Sequence, residues 1–332
     1  MENVVGMSTP WAGRRVFVTG ATGLIGSWVV KELLQGGASV TCLIEDLNPG
    51  SELVRSEAIR DVTAVSGSLT DFNALERVIN VYEPEVVFHL GARTVVGQAL
   101  RSPLNALEVN VRGTYNLLEA CRLHKGMIDR VVIASSDKAY GEQSELPYTE
   151  DAPLIGRAPY DVSKTSADLI AQAYYHSYGL PVTIARCGNT YGGGDLNWSR
   201  LIPGTVRAFL RGEPPIIRSD GTYLRDYIYV RDVSRAYLTL GSQSLGIVAG
   251  EAFNFSDESP RTVIEIVSAL QAAIGCPGIE PEIQSSTEAE IKSQYLSAEK
   301  AKRTLGWSPE FSLEQGLDET IAWYSTYLGA DR

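Results

Sequence analysis

The sequence predicts an α/β protein, with a doubly wound parallel sheet followed by a smaller C-terminal α/β domain. Short apolar runs alternate with helical spacings through the first half of the chain, as in successive strand–helix–strand units. The runs are almost continuously apolar, as parallel strands covered by helices on both faces must be. A glycine-rich turn joins the first run to the first helical segment, which is typical of such sheets.

The elements of the first half follow in chain order from these periods. Arg15–Thr19 is the first predicted strand, and apolar residues recur at helical intervals from Leu24 to Gln35. Further strands are predicted at Val40–Ile44, Val62–Val65, Val86–Leu90, Arg130–Ala134 and Pro181–Ala185. Further helices are predicted at Asp71–Val81, Asn105–Leu123 and Tyr160–Tyr178.

The pattern becomes less regular after Arg186, where glycine- and proline-rich turns are frequent. Helices are still predicted near Leu201–Arg211, Val230–Leu240, Val263–Ile274 and Leu313–Tyr327. We therefore expect a first domain over residues 12–186, with a contribution from about 224–248. A second domain is expected over residues 187–223 and 249–330.

Composition excludes several classes of function. The 332 residues carry 29 Lys and Arg against 40 Asp and Glu, whereas nucleic-acid binding needs clustered positive charge. The four cysteines and three histidines show no ligand spacing, so no metal site is expected. The first residues do not resemble a signal peptide, and no apolar run has the length of a membrane span. We therefore expect a cytoplasmic protein that binds neither nucleic acid nor membrane.

The turn after the first strand reads Gly20-Ala21-Thr22-Gly23-Leu24-Ile25-Gly26. In this spacing the first glycine permits a tight turn, the second admits a pyrophosphate, and the third allows close helix–sheet packing. The pyrophosphate would bind the free amides of the helix N-terminus. We therefore predict a Rossmann-type dinucleotide site formed by Gly20, Thr22, Gly23, Leu24, Ile25 and Gly26. The alternative is a glycine-rich turn without a ligand.

An acidic residue about twenty positions further on is needed to bind the adenosine ribose. Glu45 lies at that distance, and Asp46 follows it. A carboxylate here accepts hydrogen bonds from the ribose hydroxyls and repels a 2′-phosphate, so NAD is favoured over NADP. Two solvated loop acids are the alternative.

Tyr160 and Lys164 form the second motif, because residues four apart share one face of a helix. A lysine ammonium beside the phenol favours the phenolate and is expected to lower the pKa of the tyrosine toward neutrality. Such a tyrosine can act as a general base on a sugar hydroxyl while hydride leaves the same carbon.

These motifs resemble those of the extended short-chain dehydrogenases/reductases, in the branch of nucleotide-sugar epimerases and dehydratases. The resemblance extends from about Arg15 to Leu305-Gly306-Trp307-Ser308-Pro309 and includes His89-Leu90-Gly91-Ala92 and Asn110-x-x-Gly113-Thr114-x-Asn116. It implies NAD as the cofactor and further cofactor contacts from Ser68, Leu69, Leu90, Gly91, Ala92, Asn110, Tyr160 and Lys164. The chain departs from the family pattern at Ser68, where aspartate is usual, and at Ile44, where the ribose acid often stands.

Within that branch, Ser136-Asp137-Lys138 distinguishes two reactions. The resemblance implies that Ser136 orients the 4-hydroxyl of the sugar, and that 4,6-dehydratases place an acid and a base at the next two positions. Asp137 and Lys138 are most similar to the pair of CDP-glucose 4,6-dehydratases, since eliminating water needs both an acid and a base. The alternatives are a surface ion pair and a nucleotide-sugar 4-epimerase, which does not need the pair.

The resemblance also implies substrate contacts and an assembly. Asn189 is expected to bind the diphosphate of a sugar nucleotide, and Arg200 and Arg225 its phosphates or base. Each arginine could equally be a surface ion-pair partner. The helices that start at Asn105 and Tyr160 form the dimer bundle in related enzymes, so a homodimer is expected. His89 is expected to be a packed core residue.

Overall fold

The computed structural model of the protein describes residues 9–285 and 291–329. Its main sheet contains β1 (Arg15–Thr19), β2 (Ser39–Ile44), β3 (Thr63–Ser66), β4 (Val86–His89), β5 (Arg130–Ala134), β6 (Val182–Cys187) and β11 (Ala252–Phe255). The order across the sheet is β11-β6-β5-β4-β1-β2-β3. Every neighbouring pair is parallel, which confirms the predicted doubly wound sheet. The strand order reverses between β1 and β4, which is where such sheets bind ligands.

The helices predicted from the sequence are present in the described residues with small shifts at their ends, except that the one over Asn105–Leu123 is interrupted, and several short helices are additional. The helices of these residues are α1 (Leu24–Gln35), α2 (Glu52–Arg55), α3 (Phe72–Tyr82), α4 (Val96–Arg101), α5 (Pro103–Leu107), α6 (Gly113–Leu123), α7 (Pro159–Tyr178), α8 (Leu201–Leu210), α9 (Val230–Ser242), α10 (Leu245–Val248), α11 (Val263–Ile274), α12 (Glu299–Leu305) and α13 (Leu313–Leu328). Two 3-10 turns, Ala58–Asp61 and Asp137–Tyr140, complete them.

Helices cover both faces of the main sheet, because alternate strand residues point to opposite sides. Val16 and Val18 belong to the core that includes Val29 of α1 and Leu240 of α9. Phe17 belongs to the opposite core, which the apolar residues of α3, α6 and α7 complete. This two-sided burial is the reason that the strands are almost entirely apolar.

The second half builds a separate apolar core from α8, α11 and α13. Its small sheets pair β7 (Asn189–Tyr191) with β10 (Tyr227–Tyr229), and β8 (Ile216–Ile217) with β13 (Glu282–Ile283). A three-stranded sheet has the order β12 (Arg261–Thr262), β9 (Leu224–Arg225) and β14 (Ser293–Gln294).

The chain crosses between the two halves more than once. Helix α9 packs against α1, within the 224–248 contribution that the sequence predicts. Strand β11 also joins the main sheet, although it lies in the range expected for the second domain. We propose two domains with the returning segment extended to Phe255. Residues 286–290 and 330 of the predicted second domain lie outside the described residues.

The helix expected over Asn105–Leu123 is interrupted. A π-helical turn, Glu108–Arg112, separates α5 from α6 and carries Asn110. The Asn110 Oδ1 accepts from the Arg93 N–H (2.7 Å), and its Nδ2 donates to Ser163 Oγ (2.9 Å). These contacts with a loop and with α7 hold the asparagine in place, and π-helical turns often lie at functional sites.

No helix within residues 9–285 and 291–329 is long and apolar enough to cross a bilayer. Within the same ranges, no cluster of three or more His, Cys, Asp or Glu could hold a metal ion.

Candidate active site

A cleft of about 770 Å³ lies at the carboxyl edge of the main sheet, between the sheet and the second half of the chain. It is lined by almost every predicted site residue, namely Gly20, Thr22, Gly23, Leu24, Ile25, Gly26, Glu45, Asp46, Leu69, Leu90, Gly91, Ala92, Ser136, Asp137, Lys138, Tyr160, Lys164, Asn189, Arg200 and Arg225. Two of the expected cofactor residues, Ser68 and Asn110, do not line it. Ser68 Oγ instead hydrogen-bonds Thr70 Oγ1 (3.0 Å) within its own turn.

The glycine loop has the shape that a dinucleotide requires. Gly20 has φ +75°, and a Cβ there would lie 2.5 Å from the Gly91 nitrogen. A Cβ on Gly26 would lie 2.1 Å from the Gly20 carbonyl oxygen, so the helix packs tightly on the loop. Helix α1 has no side-chain cap at Gly23 and no acidic residue in its first turn, which leaves its amides available to an anion. These residues fit the pyrophosphate of NAD.

The predicted ribose acid has a partner that the sequence analysis did not identify. Arg93 donates to Glu45 Oε2 (2.8 Å), and both side chains are more than two-fifths exposed. The main-chain N–H and C=O of Arg93 are bound by Asn110. Arg93 and Glu45 are 48 residues apart, and only the sheet order brings their loops together.

Tyr160 and Lys164 lie at the start of α7 and are both buried. Lys164 Nζ donates to the Ala134 carbonyl oxygen (2.9 Å) at the end of β5. Burial lowers the pKa of Lys164 to about 8, although the charge of Asp168 opposes the shift. The lysine is therefore fixed between α7 and the sheet.

The expectation that Lys164 lowers the pKa of Tyr160 toward neutrality is wrong when only the residues of this chain surround the tyrosine. Burial raises the pKa of Tyr160 to about 12, and the strongest opposing effect is the charge of Arg200. A hydrogen bond with Ser136 also lowers it, whereas the charge of Asp137 raises it. Burial dominates because a phenolate without full solvation is costly. The charge of Arg200 therefore lowers the pKa of Tyr160, an effect that the sequence analysis, which expected Arg200 to bind phosphate or base, did not predict.

The Ser136-Asp137-Lys138 segment leaves β5 and enters a short 3-10 turn. Ser136 caps this turn by accepting from the Lys138 N–H (3.2 Å), and its hydroxyl donates to Asp137 Oδ1 (2.9 Å). Asp137 is only 3% exposed, and its Oδ2 has no hydrogen-bond partner among the described residues. A buried carboxylate oxygen that lines a cleft without a partner is suited to contact a substrate.

Lys138 is in contact with a residue from the far end of the chain. Its Nζ donates to Gln294 Oε1, and Gln294 Nε2 donates to the main-chain oxygen of Asp137 (3.0 Å). Lys138 and Asp137 do not form a salt bridge with each other, so the alternative of a surface ion pair is wrong. Gln294 carries no motif in the sequence, and only the contact reveals it.

The three predicted substrate residues differ in their surroundings. Asn189 Nδ2 is buried without a hydrogen-bond partner within the described residues. Arg200 donates to Asp195 Oδ2 (2.9 Å) and Thr94 Oγ1 (3.0 Å), which bridges the two sides of the cleft. Arg225 is 5% exposed and donates to the carbonyl oxygens of Ile291 (2.6 Å) and Lys292 (3.1 Å). Asn189 and Arg200 are thus placed to contact a ligand, whereas Arg225 anchors a neighbouring segment.

His89 is a packed core residue, as predicted. Thr114 Oγ1 donates to the Asn110 carbonyl oxygen (2.6 Å), so it accepts from His89 Nε2 (3.0 Å). His89 Nδ1 then accepts from Thr19 Oγ1 (2.8 Å), which requires the neutral imidazole. Burial, together with the charge of Lys164, lowers its pKa from 6.5 to about 3.

This histidine makes the stability of the protein sensitive to acid. The folded pKa lies below the unfolded value of 6.5, so its contribution is complete above pH 6.5 and is lost as the pH falls toward 3. Between pH 7 and pH 5 we expect a loss of about 2 kcal/mol in the free energy of unfolding. Urea unfolding at both pH values measures it. The His89→Gln variant, which cannot be protonated, should lose about that much less, and an equal loss in both proteins would contradict the assignment.

The fold, the glycine loop and the Tyr160–Lys164 helix together define an extended short-chain dehydrogenase/reductase. Residues 17–320 match the family model described as GDP-mannose 4,6 dehydratase, and the chain belongs to this family.

Relatives in this family are similar over nearly the whole chain. The chain is 31% identical to the CDP-glucose 4,6-dehydratase of Salmonella typhimurium, covering 96% of this chain and 92% of the relative. It is 32% identical to the dTDP-glucose 4,6-dehydratase of Xanthomonas campestris pv. campestris, covering 93% and 92%.

Solved structures of both dehydratases and epimerases share the fold. The dTDP-glucose 4,6-dehydratase of Bacillus anthracis, in complex with NAD, aligns with a TM-score of 0.84 at 29% identity over 95% of this chain and 97% of the other. The UDP-glucose 4-epimerase of Thermotoga maritima, with UDP-glucose, aligns with a TM-score of 0.85 at 29% identity over 95% and 99%. The overall fold therefore does not separate the two reactions, and the site must do so.

Proposed function

We propose that the protein is an NAD-dependent nucleotide-diphosphohexose 4,6-dehydratase, of the type that acts on CDP-glucose. The observation that carries this proposal is the Asp137–Lys138 pair, which lines the same cleft as Tyr160 and Lys164. Oxidation and reduction at carbon 4 need only the tyrosine, the lysine and the cofactor. Elimination of water also needs an acid and a base, and this site contains both.

The side chains divide the reaction among them. Tyr160 removes the proton of the sugar 4-hydroxyl, which Ser136 orients, and the charge of Arg200 favours the phenolate. NAD, when bound, accepts hydride from carbon 4 and returns it to carbon 6. Lys138 removes the proton of carbon 5, which the adjacent ketone acidifies, and Asp137 protonates the departing 6-hydroxyl. When hydride adds to carbon 6, Lys138 gives the proton back to carbon 5. The product is a 4-keto-6-deoxy sugar nucleotide and water, without net oxidation.

The cofactor site supports NAD as the dinucleotide. The glycine loop would hold the pyrophosphate, and Glu45 would accept from the ribose hydroxyls. Asn189 and Arg200 would bind the diphosphate of the substrate, because a buried amide and a guanidinium are suitable donors for an anion.

The alternative is an NAD-dependent nucleotide-sugar 4-epimerase, which the similarity to the Thermotoga enzyme favours. An epimerase returns hydride to carbon 4, so the mass of its product equals that of its substrate. Mass spectrometry after incubation with CDP-, UDP-, dTDP- and GDP-hexoses separates the two reactions. Loss of one water supports the dehydratase, and an unchanged mass with inverted carbon 4 contradicts it.

We propose further that the enzyme is a cytoplasmic homodimer. Large apolar side chains on α5, α6 and α7 are exposed, among them Leu104 (70%), Leu169 (50%) and Tyr115 (41%). A second copy of these helices would cover such a surface. The buried free thiols of Cys42, Cys121 and Cys187 are compatible with a reducing compartment.

A substitution in that surface tests the dimer. Leu169→Glu should convert a protein of twice the chain mass into a monomer in sedimentation equilibrium, because a charge in an apolar interface is costly. Leu245→Glu, an equally simple change of an exposed leucine on α10, should leave the mass unchanged. A wild-type monomer would disprove the assembly.

A further inference from the structure

Gln294 contacts the proposed acid–base pair although it belongs to the C-terminal part of the chain. It is the second residue of β14, where it pairs with Arg225 of β9. Its side chain is fully buried. A buried amide must satisfy its donors and its acceptor, so its partners determine its orientation.

Those partners are the main chain of Asp137 and the side chain of Lys138. The Asp137 carbonyl oxygen can only accept, so the Gln294 NH₂ faces it, at 3.0 Å. The amide oxygen therefore faces Lys138 Nζ, which donates to it. One side chain thus contacts both members of the proposed acid–base pair.

The strand that carries Gln294 is itself attached to the substrate side of the cleft. The Arg225 guanidinium donates to the carbonyl oxygens of Ile291 (2.6 Å) and Lys292 (3.1 Å), directly before β14. Arg225 also lines the cleft. The position of Lys138 is therefore connected, through Gln294 and three residues of main chain, to a second residue that lines the cleft.

We propose that Gln294 is a positioning residue for the elimination step, an inference that depends on the proposed dehydratase function. Its neutral oxygen binds one N–H of Lys138 and leaves the amine lone pair for the proton of carbon 5. The C5–H bond then breaks, and its electron pair forms the C5–C6 double bond. The C6–O bond breaks, and the oxygen takes the Asp137 proton and leaves as water.

The proposed role needs an uncharged amide, because the carboxyl of Asp161 already interacts with the charge of Lys138. A carboxylate in its place would bind the lysine ammonium by charge as well as by hydrogen bond, which opposes loss of the proton. An apolar side chain would leave the lysine without its partner and the Asp137 carbonyl oxygen unsatisfied. A carboxylate and an apolar side chain at position 294 therefore have different expected consequences. The difference shows whether Gln294 positions Lys138 or only fills space in the core.

The test compares Gln294→Glu, Gln294→Met and the control Gln271→Glu with wild type, using CDP-glucose and dTDP-glucose as probes. Gln271 also donates to a main-chain oxygen, that of Ile279 (2.8 Å), but this bond lies away from Asp137 and Lys138. For Gln294→Glu we expect product formation and solvent-deuterium entry at carbon 5 to fall by about 10²-fold. The pH of half-maximal rate should rise by roughly one to three units. Oxidation at carbon 4, followed as reduced cofactor in a single turnover, should stay at the wild-type rate.

The other variants complete the argument. Gln294→Met should slow elimination without moving the pH profile, and Gln271→Glu should change neither. A Gln294→Glu enzyme with wild-type elimination and pH profile, or equal losses in oxidation and elimination for both Gln294 variants, overturns the proposal while the dehydratase stands. A wild-type enzyme that only inverts carbon 4 overturns both, so the two failures are distinguishable.

Discussion

Tyr160→Phe is expected to lower kcat by roughly 10²–10⁴-fold, because it removes the only proposed base for the 4-hydroxyl proton. The ring itself is 8% exposed and keeps its packing in the variant, so the loss should come from chemistry rather than folding. Steady-state product formation with the accepted sugar nucleotide measures it. Tyr174→Phe is the matched control, since it removes a hydroxyl further along α7 that donates to Glu119 (3.2 Å).

Full turnover in Tyr160→Phe would show that another group removes the proton. The pH profile adds an independent readout. Burial holds the Tyr160 pKa at about 12, and Arg200 exerts the strongest opposing effect. In Arg200→Met the pKa should therefore rise further, and at saturating substrate the increase of kcat with pH should move to higher pH.

Six of the seven strands of the main sheet could be predicted because their signal is local, whereas β11 was not predicted. Continuous apolar runs mark strands buried on both faces, and the strands Arg15–Thr19 and Arg130–Ala134 have the predicted bounds. The first helix, Leu24–Gln35, also has the predicted bounds. The π-helical turn at Glu108–Arg112 could not be predicted in this way, because one extra residue hardly changes the helical spacing. Its cause is tertiary, namely the bonds from Asn110 to Arg93 and Ser163.

In the candidate site, too, local motifs could be predicted from the sequence and contacts between distant residues could not. The glycine loop and the Tyr160–Lys164 pair are motifs within a few residues of chain, and the sequence places them correctly in the cleft. Arg93 and Gln294 were missed because their partners lie 48 and 156 residues away. The prediction for the Tyr160 pKa was wrong for a related reason. The spacing of four residues shows that Lys164 is a neighbour of Tyr160, but the burial that raises the pKa depends on the whole fold.

Lys138→Met is expected to separate the two halves of the reaction. The variant keeps Tyr160 and Lys164, so oxidation at carbon 4 should continue and reduced cofactor should accumulate in a single turnover. Formation of the dehydrated product should fall by roughly 10²–10⁴-fold, because the base for carbon 5 is lost. Stopped-flow absorbance follows the first step, and mass spectrometry of quenched samples follows the second.

Asp137→Asn should give a related but distinct result. The amide keeps the shape of a side chain that is 3% exposed but cannot supply the proton for the departing 6-hydroxyl. Deuterium from solvent should therefore still enter carbon 5, since Lys138 remains, whereas water is not expelled. Lys125→Met, which removes a lysine that donates to the Tyr178 carbonyl oxygen (2.7 Å) on the surface, should affect neither step. Unchanged dehydration in both site variants would leave the pair without a role, because other groups would then have to supply the acid and the base for the elimination.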